Sequence, residues 1–159
     1  MKRKIQDLSP QELFALAIFI EQTNQKILRE YAEAFDGYDE EVAKNFEEMS
    51  EEESRHEEFL RQKYGKMFKE PIPPLRNFDV DEVVGSVGLE GLGGHFGSYQ
   101  ANQILQMARL AEQKAKQFYV DASKTVKDHV LANIFHEFAE MEGDHAEWLE
   151  LKLGLKKKP

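Results

Sequence analysis

Two segments of the chain place a glutamate and a histidine three residues apart on what should be the buried face of a helix. Each segment holds a phenylalanine, a glutamate seven residues later and a histidine three residues after that: Phe46, Glu53 and His56, then Phe135, Glu142 and His145. Residues three apart share a helix face, so each segment presents a carboxylate beside an imidazole. This oxygen and nitrogen ligand set, which contains no thiolate, suits iron or manganese, with zinc as an alternative.

One further glutamate falls on the apolar stripe of the helix that precedes each segment. Burying a lone carboxylate costs several kcal/mol, so four in one core need compensation. Two divalent cations would balance the four charges while both imidazoles stay neutral, and helical bundles hold two metal ions in this way. The predicted metal ligands are Glu21, Glu53, His56, Glu112, Glu142 and His145.

A different interpretation of the same residues remains open. Glu-x-x-His is a weak motif by itself, because glutamate is frequent in this chain. The segment 47–58 is so acidic that Glu53 and His56 could belong to a solvated face. Glu52 is a rival ligand, since it lies four residues before His56. The internal repeat favours Glu53, because the position that matches Glu52 in the second segment is Met141.

Other histidines and aromatic residues are assigned no chemistry. His95 lies in a glycine-rich stretch, and His129 and His136 lie off the apolar stripe. For Tyr31, Tyr119 and Trp148, packing in the core or beside the ligands is favoured over a redox role.

Composition narrows the function classes. The net charge is −9 with a pI near 5.1, which argues against nucleic acid or an anionic membrane as the main partner. The absence of cysteine excludes disulfides, zinc ribbons and iron–sulfur or rubredoxin-type sites. No segment approaches the roughly 20 apolar residues of a membrane span, and the short apolar run after the basic start does not form a signal peptide. We expect a cytoplasmic protein.

Helical patterns dominate the 159 residues, which we interpret as a single all-α domain spanning residues 1–159. Helices are predicted at about 10–34, 40–66, 98–122 and 126–153, with a crossover at about 67–97. Ser9, Pro10 and Glu12 form a helix start signal, and residues 125–128 resemble a capping box. Short connections within each helix pair predict two antiparallel hairpins. A long crossover between them predicts a ferritin-like four-helix bundle.

The ordered set of ligands resembles the ferritin-like di-iron carboxylate family, in its rubrerythrin branch. Within that branch, it is closest to the ferritin-like domain of erythrin or vacuolar-iron-transport type membrane-bound ferritins. The likeness is carried by residues 16–21, 46–49 and 71–76, by Glu53 with His56, and by Glu112 followed by Phe118 and Tyr119.

This resemblance implies two iron ions and a ferroxidase or peroxidase that oxidises Fe(II) with peroxide or dioxygen. Glu21, Glu53 and His56 would bind mainly one metal, and the other three ligands the second, with Glu53 and Glu142 bridging. Relatives form dimers, so a homodimer is expected, with exchange of hairpins between chains as an alternative.

Three departures from the family pattern bear on function. Ala115 stands where rubrerythrins carry an additional glutamate ligand, which weakens the expectation of a rubrerythrin-style ligand switch. Leu28 replaces the usual tyrosine seven residues after Glu21. The sequence includes neither a rubredoxin-type nor a membrane domain, so an electron donor would be external. The alternatives are an iron-binding or storage module without significant turnover, and a metal-free helical interaction module.

Overall fold

In the part of the chain that the structure describes, four long helices make up nearly all of the regular structure. The computed structural model describes residues 3–75, 83–84, 89 and 96–157. The helices are α1 (Pro10–Phe35), α2 (Glu40–Met67), α3 (Ser98–Thr125) and α4 (His129–Lys152), and a short 3-10 turn (Ile5–Asp7) precedes them. No strand occurs in these described ranges, so the all-α prediction is confirmed. None of the described helices combines the length and apolar character that a membrane crossing requires.

The first hairpin follows from local capping signals. The Glu12 backbone N–H donates to Ser9 Oγ at 3.2 Å, and the Ser9 N–H donates to Glu12 Oε2 at 2.8 Å. This reciprocal pair is the predicted capping box at the start of α1. After α1, Gly37 adopts φ +81°, a conformation that favours glycine. Asp39 then caps α2 by accepting the Val42 N–H at 3.2 Å.

The second hairpin begins its last helix later than the sequence indicates. Thr125 closes α3 rather than capping α4, because its hydroxyl donates to the Asp121 carbonyl at 2.8 Å. Asp128 is the cap instead, and its Oδ1 accepts the Leu131 N–H at 2.9 Å. Consequently α3 runs three residues past its predicted end, and α4 starts at His129 rather than near 126.

Buried apolar side chains form two clusters, one toward each end of the bundle. Cluster I includes Leu13, Leu16, Leu60, Phe118 and Phe135. Cluster II includes Leu28, Phe46, Ile104, Leu105 and Leu149. Along every helix, the predicted ligands lie between the residues that belong to the two clusters. The fold therefore places a polar layer in the middle of an apolar core.

Membership of the two clusters also gives the helix directions. Helices α1 and α4 run from cluster I to cluster II, while α2 and α3 run the opposite way. Because α2 and α3 are parallel, the connection between them has to traverse the bundle. In agreement, Val83 is buried in cluster I, whereas Leu89 and Phe96 pack against cluster II. The predicted ferritin-like bundle of two hairpins with a long crossover is confirmed.

Candidate metal centre

The six predicted ligands meet in the polar layer between the two apolar clusters. Helix α1 contributes one glutamate, α3 contributes another, and α2 and α4 each contribute a glutamate and a histidine. All four glutamates are 0% exposed, and both histidines are buried. Regular helix spacing accounts for this, since each polar residue continues the apolar stripe of its own helix.

These residues form two overlapping groups of potential ligands. One group is Glu21, Glu53, His56 and Glu142, and the other is Glu53, Glu112, Glu142 and His145. Within each group, one ligand atom per residue lies within 4.8 Å of the others. Glu53 and Glu142 belong to both groups. Two metal positions side by side with two shared carboxylates would satisfy this arrangement.

Each shared glutamate directs its two oxygens toward different histidines. Glu53 Oε2 is 3.8 Å from His56 Nδ1, and Glu53 Oε1 is 3.3 Å from His145 Nδ1. Glu142 Oε1 is 3.6 Å from His56 Nδ1, and Glu142 Oε2 is 3.6 Å from His145 Nδ1. A carboxylate whose oxygens face two neighbouring positions has the geometry of a bridging ligand.

The two remaining glutamates each lie beside one histidine. Glu21 Oε2 is 3.2 Å from His56 Nδ1. Glu112 Oε2 is 3.5 Å from His145 Nδ1. Together with the shared carboxylates, this gives the Nδ1 atom of each histidine three carboxylate neighbours. We call Glu21 with His56 one half-site of the cluster, and Glu112 with His145 the other half-site.

Several buried polar atoms here lack a hydrogen-bond partner, which provides a direct test of whether metal ions fit. In the described part of the chain, both oxygens of Glu53, Glu112 and Glu142 and the Nδ1 atom of His145 have none. Buried polar atoms are normally hydrogen bonded. Carboxylate oxygens and imidazole nitrogens without partners, converging on common points, are the donor set that first-row divalent metals prefer. The residues fit two such ions.

Burial and mutual repulsion distort the titration of the glutamates. Burial, followed by repulsion from Glu142 and Glu21, raises the pKa of Glu53 well above its usual value. Burial and repulsion from Glu142 likewise raise the pKa of Glu112. Burial also opposes ionisation of Glu142, but contacts with Glu112 and the two histidines outweigh it and hold its pKa below the usual range. The metal-free cluster therefore retains protons on some of its carboxyl groups.

The histidines are affected in the opposite sense. Burial disfavours the imidazolium of His56, but the carboxylates of Glu142 and Glu21 outweigh this and raise its pKa to about 12. Glu112 and Glu142 similarly outweigh burial at His145 and raise its pKa. Without metal, protonated histidines supply the positive charge that the glutamates require. Metal ions bind the neutral ring, so they would displace those protons.

Tyr119 and Glu52 each make a polar contact with a predicted ligand from outside the cluster. The hydroxyl of Tyr119 donates a hydrogen bond to Glu21 Oε1. Burial, followed by repulsion from Glu21, raises the pKa of Tyr119, so the phenol keeps the proton that it donates. On the other side, His145 Nε2 lies 2.8 Å from Glu52 Oε2. Glu52 is absent from both ligand groups, so the structure assigns it a place beside His145 rather than beside His56.

Sequence spacing identified the inward-facing residues but missed the pairing of Glu52 with His145. That contact joins α2 to α4, and no repeat or motif indicates it. Tyr119 was assigned to packing in the core or beside the ligands, and it lies beside Glu21. His129 and His136 are exposed, and His95 lies outside the described residues.

Tyr31 lies in cluster II, and Trp148 packs against it. Tyr31 packs edge-on against Phe46 with a ring-centroid distance of 5.6 Å. Trp148 also packs edge-on against Phe46, at 6.2 Å. Both therefore have packing contacts of the kind that the sequence favoured.

Comparison with known proteins agrees with this architecture. A family model described as Rubrerythrin matches residues 12–84 and 103–155, and each matched segment contains one complete hairpin set of predicted ligands. A solved structure of a hypothetical protein from Pyrococcus furiosus superposes with a TM-score of 0.75 at 24% sequence identity. The alignment covers 94% of this chain and 90% of that chain, and it shows a shared fold. No curated protein matches the chain.

Proposed function

Because this chain belongs to the rubrerythrin family, we propose that it is a di-iron oxidoreductase that oxidises Fe(II) with peroxide or dioxygen. The observation that carries the proposal is the pair of overlapping ligand groups that share Glu53 and Glu142. Four buried glutamates and two buried histidines form no ordinary structural network, since most of their polar atoms lack partners. Two adjacent cations account for their number and their placement.

The proposed roles follow the geometry of the half-sites. Glu21 and His56 would hold one iron, Glu112 and His145 would hold the other, and Glu53 and Glu142 would bridge them. Two Fe(II) ions bound there would supply one electron each, and hydrogen peroxide would accept both electrons with two protons to give two water molecules. Oxygen and nitrogen donors of this kind also suit manganese, with zinc as an alternative occupant.

The protein's own residues set the environment of that exchange. The four carboxylates balance the charge of two divalent ions, and the helices hold the ligands in place. Clusters I and II close the layer at both ends and restrict water. Tyr119 fixes the outer oxygen of Glu21 by its hydrogen bond. An electron donor would be required if the iron is to be reduced again for another turnover.

The proposal is tested by titrating metal-free protein with Fe(II) under anaerobic conditions and then adding peroxide or dioxygen. We expect oxidation faster than in buffer that saturates at two irons per chain, as the two ligand groups require. Glu142→Ala should abolish the saturable phase, whereas Glu140→Ala, which removes an exposed carboxylate from the same helix, should not. A folded wild-type protein that binds two irons without accelerating oxidation would contradict the enzyme assignment.

An iron-binding or storage module without significant turnover is the second candidate. The observation that favours it is Ala115, fully buried at the position where the family resemblance places an extra glutamate ligand. Tight iron binding together with oxidation no faster than in buffer would support this module.

A further inference from the structure

The two histidines of the cluster have different surroundings on their outer sides. His145 on α4 directs Nε2 at Glu52 on α2, at 2.8 Å. The repeat places Met141 at the position equivalent to Glu52, so the other hairpin offers no matching carboxylate. The ring of His56 instead packs against Phe138, with the ring centroids 4.8 Å apart.

The contact with Glu52 determines which nitrogen of His145 can bind a metal. When a metal displaces one proton from His145, the neutral imidazole that remains carries a single N–H, and the Glu52 carboxylate at Nε2 holds it there. The Nδ1 lone pair is then left to face Glu53, Glu112 and Glu142, from which it is 3.3 to 3.6 Å away. Hydrogen bonding of this type also makes the ligand nitrogen more basic. Glu52 thus prepares His145 for a cation in both orientation and electron density.

A second difference between the half-sites acts in the same direction. Tyr119 donates a hydrogen bond to Glu21, which withdraws electron density from that carboxylate. The residue equivalent to Tyr119 in the other hairpin is Leu28, and both oxygens of Glu112 lack a hydrogen-bond partner. The outer contacts therefore strengthen the donors of one half-site and weaken those of the other.

We propose that Glu52 is a positioning residue for His145, and that it makes the half-site of Glu112 and His145 the first to bind a divalent cation. The inference rests on the proposed metal-binding function. Access from solvent is consistent with this order. The Glu52 side chain is 42% exposed, and with Glu48 and Asp144 it lines a cleft of about 310 Å³ that has His145 at its wall. Carboxylates around such a cleft attract cations.

The test is an anaerobic titration of metal-free protein with Co(II), monitored by calorimetry and by the visible absorption of the bound ion. The wild type should bind two Co(II) ions per chain in two steps of unequal affinity. Glu52→Ala should weaken the first step by about 10-fold or more and change its absorption spectrum. Glu52→Gln should restore most of both, because the amide oxygen still accepts the Nε2 hydrogen. Glu51→Ala, which removes an exposed carboxylate from the same helix outside the cleft, should behave as wild type.

Three further variants test which half-site fills first and whether Glu52 acts through His145. His145→Ala should remove the tighter step and His56→Ala the weaker one. In the His145→Ala background, Glu52→Ala should cause no additional change. A Glu52→Ala protein that titrates like wild type would overturn the inference and leave the metal centre intact. So would loss of the tighter step in His56→Ala, or a Glu52→Gln protein as weak as Glu52→Ala. A folded wild type that binds no Co(II) would instead overturn the proposed function itself, and this inference with it.

Discussion

At the scale of single residues, the decisive feature is that Glu53 and Glu142 each face both histidines. Their oxygens lie between 3.3 and 3.8 Å from the two Nδ1 atoms. Two such carboxylates repel each other, and burial together with this repulsion raises the pKa of Glu53 and of Glu112. Because the buried carboxylates destabilise the metal-free form, cations placed between them would stabilise the site.

Glu53→Gln should make the metal-free fold more stable than the wild type. The raised pKa of Glu53 means that its carboxyl group ionises more easily in the unfolded chain, so it destabilises the metal-free fold above its unfolded pKa. With the chelator EDTA present, the variant should be more stable than wild type by about 1 kcal/mol or more, and the difference should grow from pH 5 to pH 8. Urea denaturation at both pH values measures it.

The matched control for that substitution is Glu51→Gln, which alters an exposed carboxylate on the same helix and should leave stability unchanged. After metal loading the ranking should reverse, with wild type gaining more stability than Glu53→Gln. A metal-free Glu53→Gln protein clearly less stable than wild type would show that the carboxylate is a structural group.

Metal binding should release protons near neutral pH. The carboxylates of Glu142, Glu21 and Glu53 outweigh burial and keep the pKa of His56 near 12 in the metal-free protein, so its ring is charged at pH 7. A bound cation requires the neutral ring. The apparent affinity for Co(II) should therefore rise with pH between 6 and 8. Calorimetry in buffers of different ionisation enthalpy measures the protons released.

His56→Ala should lower the number of protons released, whereas His136→Ala, which removes an exposed histidine, should not. A binding enthalpy that is independent of the buffer would contradict the displacement of protons by metal.

Residue types and spacing were sufficient to select the six side chains that the structure brings together. The i, i+3 spacing could select these side chains because it depends only on the geometry of each separate helix. The contact between Glu52 and His145 could not be predicted, because it depends on how far apart α2 and α4 lie and on their rotation. The role of the six selected side chains as metal ligands stays a prediction, which the experiments above address.

At the scale of helices, each hairpin contributes one glutamate from its first helix and a glutamate–histidine pair from its second. The parallel directions of α2 and α3 bring the two sets to the same level of the bundle. Element order and the long connection predicted this topology, because two antiparallel hairpins joined by one long crossover are the arrangement of ferritin-like bundles.

Asp128→Ala should destabilise the second hairpin at the start of α4. Asp128 accepts the Leu131 N–H at 2.9 Å, and losing an aspartate cap costs about 1 kcal/mol of unfolding free energy. Denaturant unfolding of the metal-free protein measures the loss. Lys127→Ala, which changes the adjacent exposed residue, is the control. Equal stability of the two variants would contradict the assignment of Asp128 as the cap.

The start of α4 also shows where prediction from sequence fails. Both Thr125 and Asp128 are acceptable helix caps, and the sequence pattern 125–128 favoured the first. The Thr125 hydroxyl instead donates a hydrogen bond to the Asp121 carbonyl within its own helix, so α3 continues to Thr125. Competition between two local hydrogen bonds of similar strength decides such helix boundaries, and the sequence does not show which of the two bonds forms.

At the scale of the whole molecule, an apolar cluster at each end encloses a polar layer that spans all four helices. The rubrerythrin family match covers both hairpins, and the shared fold with the Pyrococcus furiosus protein covers nearly the full length of both chains. The family resemblance deduced from the ligand order is confirmed. The narrower likeness to erythrin-type ferritins and the expected homodimer stay predictions, because they depend on features outside the bundle's ligand layer.

We propose that two metal ions lie side by side in this layer and share Glu53 and Glu142. Anomalous X-ray diffraction at the iron edge from iron-loaded crystals tests it most directly. We expect two peaks, one within each ligand group, with both shared glutamates between them. A single peak, or iron found only at surface carboxylates while the buried cluster keeps its metal-free arrangement, would contradict the claim.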